Sequence, residues 1–338
     1  MSVLVKELAS LNAPSGFEDA VRSFIRKNVV CDEVYTDTIG NLICHKKGSG
    51  KKVMVAAHMD EVGLIITEIT DKGFLKFATL GGIESAVLCS KKVLIGKDKL
   101  CGIIATKAVH LQKEEELKTP LKTKDLYIDI GAKDKESAEK LVSLGDFAVF
   151  DGEYTSFGEN LVKSKALDDR AGCAILLELM KEDYDSDMYF AFTVQEEVGC
   201  RGAIIAAHNI KPDIALVVEG TTCSDVYGSE PHNQVTKLGD GAVMTAVDGA
   251  AISDKDYYDF IMATAKAEGI KLQIKKTTMG GTDAGSIQRS GLGVKTAVLA
   301  VPCRYLHSPV SVMNKDDMQS VYLLSKAVLK NIERSALI

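Results

Sequence analysis

No stretch of this 338-residue chain approaches the roughly 20 consecutive apolar residues that cross a bilayer. The opening segment MSVLVKELASLNAPSG interleaves charge with its apolar residues, so it lacks the uninterrupted core of a secretory signal. Both absences predict a protein of the cytoplasm with no membrane partner. Dense Lys/Arg blocks are missing too: 47 acidic against 41 basic residues give a formal net charge of −6, which disfavours nucleic acid as a partner. The eight cysteines are scattered singly with no CxxC pair, which favours reduced, buried thiols over a disulfide framework or a thiolate zinc site. Internal repeats and low-complexity tracts are absent as well.

What is present is ordinary globular material, 46% apolar and 26% charged. The chain is longer than the roughly 250–300 residues at which single cores stop growing, which predicts a catalytic body plus a smaller module. Helical spacing of apolar residues marks 3–11 and 17–28, and short strands are expected at 33–37 and 41–45. Residues 53–57 then form an unbroken apolar run, suited to a strand covered on both faces, that stops at His58-Met59-Asp60-Glu61. Three more runs share this form: 188–194 before Gln195-Glu196-Glu197, 214–218 before Glu219, and 294–301 leading to Arg304-Tyr305-Leu306-His307. Helices are expected between them at 171–182, 202–209, 254–268 and 317–333, the last capped by Asp316 or Asp317. Such alternation predicts an α/β fold, a sheet with helices on both sides and ligands at the carboxyl edge of its strands.

Residues 67–160 differ in texture, with short alternating runs, Gly/Lys/Asp turns and one helix at about 135–143. The simplest arrangement inserts this β-rich module into a catalytic domain made of 1–66 and 161–338. The lysine-rich stretch 113–124 reads as a solvated loop.

The polar residues at the strand ends carry the chemistry. In His58-Met59-Asp60 an imidazole and a carboxylate project to one side, as in ligand histidines steadied by an acid, although a lone histidine is more often a hydrogen-bonded surface residue. Asp168-Asp169-Arg170, taken alone, is a helix cap. The adjacent Glu196 and Glu197 repel one another unless a cation separates their roles, one binding it and the other taking a proton from water. Glu219 and His307 could each be simple strand-end hydrogen bonders. As a set, His58, Asp168, Glu197, Glu219 and His307 offer nitrogen and oxygen donors that suit zinc, cobalt or manganese. A shared carboxylate, Asp168, could bridge two ions about 3.5–4 Å apart. Gly280-Gly281-Thr282-Asp283 is either a structural loop with Asp283 capping 284–290 or a wall of the site. His232 reads as a loop residue, and His45, His110 and His208 carry no motif.

The segments AHMDEVG, KALDDRAG, QEEVGCRGA, MGGTDAG and RYLHSP, in this order, resemble the glutamyl and tetrahedral aminopeptidases, a family of co-catalytic metallopeptidases, over essentially the whole chain. The resemblance implies a central mixed sheet of the zinc-dependent exopeptidase type with a PDZ-like or β-barrel dimerisation insert. It implies two divalent ions, with zinc foremost, one held by His58 and Glu219, the other by His307 and Glu197, with Asp168 between them. Asp60 would orient His58, and Glu196 would be the general base. Short peptides would be the substrates, and dimers would build homo-oligomers up to hollow tetrahedral dodecamers. Glu219, in VVEGTTCSDV, departs from the aspartate usual in the family, which makes Asp225 a fallback ligand; Cys303, where threonine is common, is a local change. Rival readings are a carboxypeptidase or deacylase on the same scaffold, an endoglucanase-like glycoside hydrolase, and a catalytically silent peptide-binding assembly.

Overall fold

The computed structural model describes residues 1–114, 118, 120–335 and 337, so the lysine-rich stretch 113–124 lies partly outside the described residues. After the helices Ser2–Ala9 and Asp19–Asn28, strand β1 (Glu33–Thr36) pairs antiparallel with β2 (Leu42–Lys46). Asp37 shapes the turn between them, its Oδ1 accepting from the amides of Ile39, Gly40 and Asn41. The first apolar run becomes β3 (Lys52–His58), buried from Val53 onward.

The chain then leaves the sheet to build a closed barrel from β4 (Gly63–Ile69), β5 (Leu75–Leu80), β6 (Lys92–Ile95), β7 (Leu100–Ala105), β8 (Tyr127–Asp129) and β9 (Phe147–Phe150), in the order β4-β5-β8-β7-β6-β9. Leu64, Ile66, Leu75, Val93, Ile104 and Ile128 fill it as a core separate from that of the main sheet. A short helix, Lys135–Glu139, stands where a longer one was expected.

The main sheet resumes with β10 (Thr155–Phe157), β11 (Leu161–Ser164), β12 (Asp187–Thr193), β13 (Ile214–Thr222), β14 (Ala242–Thr245), β15 (Leu272–Ile274), β16 (Lys295–Arg304) and β17 (Ser311–Asn314). It is eleven-stranded, in the order β1-β2-β12-β3-β13-β16-β17-β11-β10, with β14 on β16 and β15 on β14. Its centre, β12-β3-β13-β16, is parallel, and antiparallel pairs flank it. Alternation along β3 serves both faces: Val53, Val55 and Ala57 pack toward the helix Leu167–Leu179, while Met54 and Ala56 meet Ala203, Ala206 and Ile287 of the helices Arg201–Ile210 and Asp283–Gln288. Parallel strands end at one edge, so the four apolar runs deliver their terminal polar residues to the same place.

Two expected helix caps are corrected. The final helix, Lys315–Asn331, is capped by Asn314, which accepts from the amide of Asp316, whereas Asp317 turns inward to accept from the amides of Gly239 and Gly241. Thr282, not Asp283, caps the helix Asp283–Gln288 through the amide of Ala284. In both cases the residue at the break between strand or loop and helix, with its extended backbone, takes the cap and frees the aspartate for a buried partner.

A buried ionic knot ties the barrel's root to the sheet. Glu61, just before β4, meets Lys165 Nζ at 2.7 and 2.8 Å and Arg170 at 3.3 Å. The fully buried Arg170 also donates to the carbonyls of Met59, Leu8 and Ala13, which clamps the N-terminal helix to the end of β3. Burial drives the Lys165 amine down to about 8, against the pull of Glu61. Among the described residues no helix is long and apolar enough to cross a membrane. Glu61→Gln strands two buried cations without a counter-charge and should lower unfolding stability by about 3–5 kcal/mol in a denaturant titration; an unchanged midpoint would show the knot to be energetically idle.

Candidate active site

The polar residues arrive at the carboxyl edge by different routes. His58 is the last residue of β3, Glu219 lies within β13, which continues past its expected end, and His307 follows β16 in a left-handed conformation, φ 55°. Asp168 stands at the mouth of the helix Leu167–Leu179, its backbone not yet helical and its peptide bond to Asp169 cis. Glu196 and Glu197 occupy the turn between β12 and the helix Arg201–Ile210.

Two trios result, His58/Asp168/Glu219 and Asp168/Glu197/His307, each with donor atoms within 4.8 Å of one another. His58 Nε2 is 3.1 Å from Glu219 Oε1 and 3.4 Å from Asp168 Oδ1. On the other side, His307 Nε2 is 3.3 Å from Glu197 Oε2 and 3.8 Å from Asp168 Oδ2. Bonds of about 2.0–2.2 Å around a tetrahedral zinc place neighbouring donors about 3.3–3.6 Å apart, a range these spacings bracket, so each trio has room for a cation. Buried Asp168 Oδ1 and Glu219 Oε2 have no hydrogen-bond partner, as expected of oxygens whose natural partner is an ion.

Neighbours fix the donors. The Nδ1 of His58 faces the main-chain carbonyl of Asp60 at 3.1 Å, and that of His307 faces the carbonyl of Gly82 at 2.7 Å, leaving both Nε2 atoms turned toward the carboxylates. Gly82 follows β5, so the barrel supplies the partner of His307. The Asp60 carboxylate does different work from the one expected: it lies 3.4 Å from His58 Nδ1 but accepts at shorter range from Ser15 Oγ (2.6 Å) and the amides of Glu196 (3.0 Å) and Glu197 (3.1 Å). It thereby holds the glutamate turn against β3. Asp169 accepts from the His58 amide and the Gly172 amide.

Electrostatics record the crowding. Burial pushes the Glu219 carboxyl up to about 7 against the pull of His58. Burial likewise drives Glu196 and Glu197 well above the usual carboxylate range, with further repulsion from Glu219 and Asp168 respectively. Desolvation works against a charged His58, yet Glu219, Asp168 and Asp60 together raise its pKa well above 6.5.

Asp225 is committed elsewhere, in a two-pronged pair with Arg304 at 2.7 Å on both prongs. Asp283 lies beneath Glu196, accepting from Thr193 Oγ1. His232 sits exposed in a single 3-10 turn, and His45 bonds Asp187. Sequence reasoning missed Gly82, Ser15 and the supporting role of Asp169; only Asp169, adjacent to Asp168, stood inside a segment already singled out. A cavity of 550 Å³ opens over the donors, walled by Thr221, Val235, Lys275, Met279 and Leu306.

Paired acid/imidazole trios sharing one carboxylate, at the carboxyl edge of a mixed sheet, define a metal-dependent hydrolase. The profile of the M42 glutamyl aminopeptidases matches residues 40–324. A putative aminopeptidase of Acetivibrio thermocellus is 39% identical over 330 residues, covering 96% of this chain and 97% of that one. Among solved structures, an aminopeptidase from the archaeon Desulfurococcus kamchatkensis superposes with a TM-score of 0.93 at 37% identity, over 97% of this chain and 94% of its own. A Pyrococcus horikoshii TET peptidase, which can assemble into a tetrahedron or a large octahedral shell, superposes with a TM-score of 0.87 at 35% identity, over 97% and 98% of the two chains. The chain belongs to the M42 glutamyl aminopeptidase family and is a metal-dependent aminopeptidase. That membership decides for the aminopeptidase among the rival readings.

Gly220 tests the trios. A Cβ there would stand 2.7 Å from Asp168 Oδ1 and 2.9 Å from its Cβ and Cγ. Gly220→Ala should push Asp168 out of both trios and lower bound metal per chain at least tenfold at limiting concentration, read by elemental analysis after dialysis; full metal content would refute the shared role.

Proposed function

We propose that this aminopeptidase is dinuclear, with His58 and Glu219 holding one divalent ion, His307 and Glu197 the other, and Asp168 shared between them. The observation that carries the reading is the single Asp168 carboxylate reaching both imidazoles, at 3.4 and 3.8 Å. Zinc suits this oxygen and nitrogen set best, with cobalt and manganese as alternatives. Bound there, the ions supply Lewis acidity, acidifying a water and polarising the scissile carbonyl.

Glu196 is the general base. It borders the cavity, belongs to neither trio, and keeps its Oε2 4.0 Å from His58 Nε2, outside bonding range but beside the donors. Its raised pKa suits a group that takes a proton from water and returns it to the departing amine. Asp60 is a positioning residue, setting the Glu196 and Glu197 amides and, through its carbonyl, the His58 ring.

Short peptides enter the cavity with their first side chain against the wall that carries Lys275. That ammonium favours an acidic N-terminal residue. The exposed barrel residues Ile103, Leu141 and Leu144 support self-association through the insert 67–160, in dimers and larger shells. Eight free thiols suit the reducing cytoplasm.

Two variants test the reading. Glu196→Gln should keep both ions while kcat falls about 10²–10⁴-fold; near-normal turnover would remove Glu196 from the role. Lys275→Glu should lower the ratio of kcat/KM for glutamyl over lysyl nitroanilides on the order of tenfold or more. An unmoved ratio would place the specificity wall elsewhere.

A further inference from the structure

Beside the two trios lies a third cluster, whose thiol and buried aspartate the hydrolytic reading leaves unused. Glu196, Cys200 and Asp283 each present one donor atom, all within 4.8 Å of one another. Cys200 Sγ is 3.3 Å from Glu196 Oε1. That spacing matches the edge of a tetrahedral site with bonds of about 2.0 Å to oxygen and about 2.3 Å to sulfur.

The backbone holds the thiol there. The Cys200 amide donates to the Glu196 carbonyl at 2.8 Å, and Cys200 sits left-handed, φ 53°, at the head of the helix Arg201–Ile210. Burial, with Asp283 and Glu196 beside it, holds the Cys200 thiol well above its ordinary range, so the thiol keeps its proton until a cation takes that proton's place. Asp283 supplies an independent sign of a missing cation. It is 1% exposed, its Oδ2 accepts from Thr193, and its Oδ1 has no hydrogen-bond donor. The thiol has a single proton for the two carboxylates, Glu196 and Asp283, so it cannot bond both fully. A buried carboxylate oxygen facing a thiol and a second carboxylate is costly without a cation. Glu196 and Cys200 both border the 550 Å³ cavity, which gives an ion its route in.

We propose that Glu196, Cys200 and Asp283 form a third cation site, selective for a thiophilic divalent ion such as zinc, whose occupation withdraws Glu196 from catalysis. The ion binds as the thiol releases its proton to solvent, forming one bond to sulfur and bonds to the two carboxylates. Loading requires displacing that proton, so it follows the filling of the trios. The consequence is a brake: excess metal of the same kind that activates the enzyme stops it. The brake, unlike the site itself, rests on Glu196 being the base.

The test uses full-length enzyme with its activating zinc in place, titrated with cobalt(II) while near-ultraviolet absorption and turnover are followed together. The trios contain no sulfur, so a thiolate-to-cobalt charge-transfer band reports only a cysteine site. The expected result is about one equivalent of cobalt per chain giving that band as turnover falls at least tenfold. In Cys200→Ser the band should vanish and inhibition move to at least tenfold higher cobalt, and Asp283→Asn, whose side chain can still bond Thr193, should weaken binding with the band retained at saturation. No band in the parent enzyme, or a band that survives Cys200→Ser, would overturn the site. A Cys200-dependent band with turnover undiminished would uphold the site while overturning the brake and, with it, the role of Glu196 as base.

Discussion

Carboxylates forced together out of water are the constraint on which the rest of the molecule depends. Asp168, Glu197 and Glu219 converge with Glu196, Asp283 and Asp60 at one sheet edge, and burial with mutual repulsion drives four of them toward the neutral acid. A chain left to itself meets that cost by taking up protons. Divalent cations would meet it instead, and the unpartnered oxygens of Asp168 and Glu219 lie where such charge would sit. The arrangement is unstable as pure protein chemistry and coherent as a metal site.

Holding such a crowd in place requires rigidity from outside it. The parallel centre of the sheet fixes His58 and Glu219 on neighbouring strands, with β12 in register beside β3, Thr193 opposite His58. Asp60 then couples strand to turn, since one carboxylate accepts from both glutamate amides and from Ser15. The barrel is no appendage to this. Its Gly82 carbonyl sets the His307 ring, and the Glu61 knot anchors its root beside β3, so a displacement of the barrel would reach the candidate metal donors directly. Glu219 is accommodated in the same way: bare Gly220 leaves room beside the strand for Asp168, and the longer side chain meets His58 Nε2 at 3.1 Å.

Much of this was legible in the sequence because buried parallel strands write themselves as unbroken apolar runs. The runs at 53–57, 188–194, 214–218 and 294–301 correspond to β3, β12, β13 and β16, and the mixed α/β class with a β-rich barrel follows from them and from the alternating texture beyond residue 67. The two caps were misplaced because aspartate is as good a capping residue as its asparagine or threonine neighbour, and only the tertiary partners Gly239, Gly241 and Thr193 decide between them. Gly82 was illegible for a deeper reason. Its contribution is a carbonyl, which every residue carries, so no side-chain pattern could mark it. Main-chain partners such as the Asp60 carbonyl are hidden in the same way.

The division of labour proposed for Glu196 and Glu197, adjacent and chemically identical, rests on what each faces. Glu197 meets an imidazole at 3.3 Å and the shared Asp168, partners that complete a ligand set. Glu196 faces a thiol and a buried aspartate, stands outside both trios at the edge of the cavity, and holds a proton more tightly than an ordinary carboxylate because it is buried. A base must take up and release a proton within each turnover, so the carboxylate left outside both trios, beside a soft thiol, is the one that suits the role. That same softness, sulfur in place of an imidazole, makes the pocket attractive to a thiophilic ion. On this reading the features that free Glu196 to work are also those through which it can be silenced.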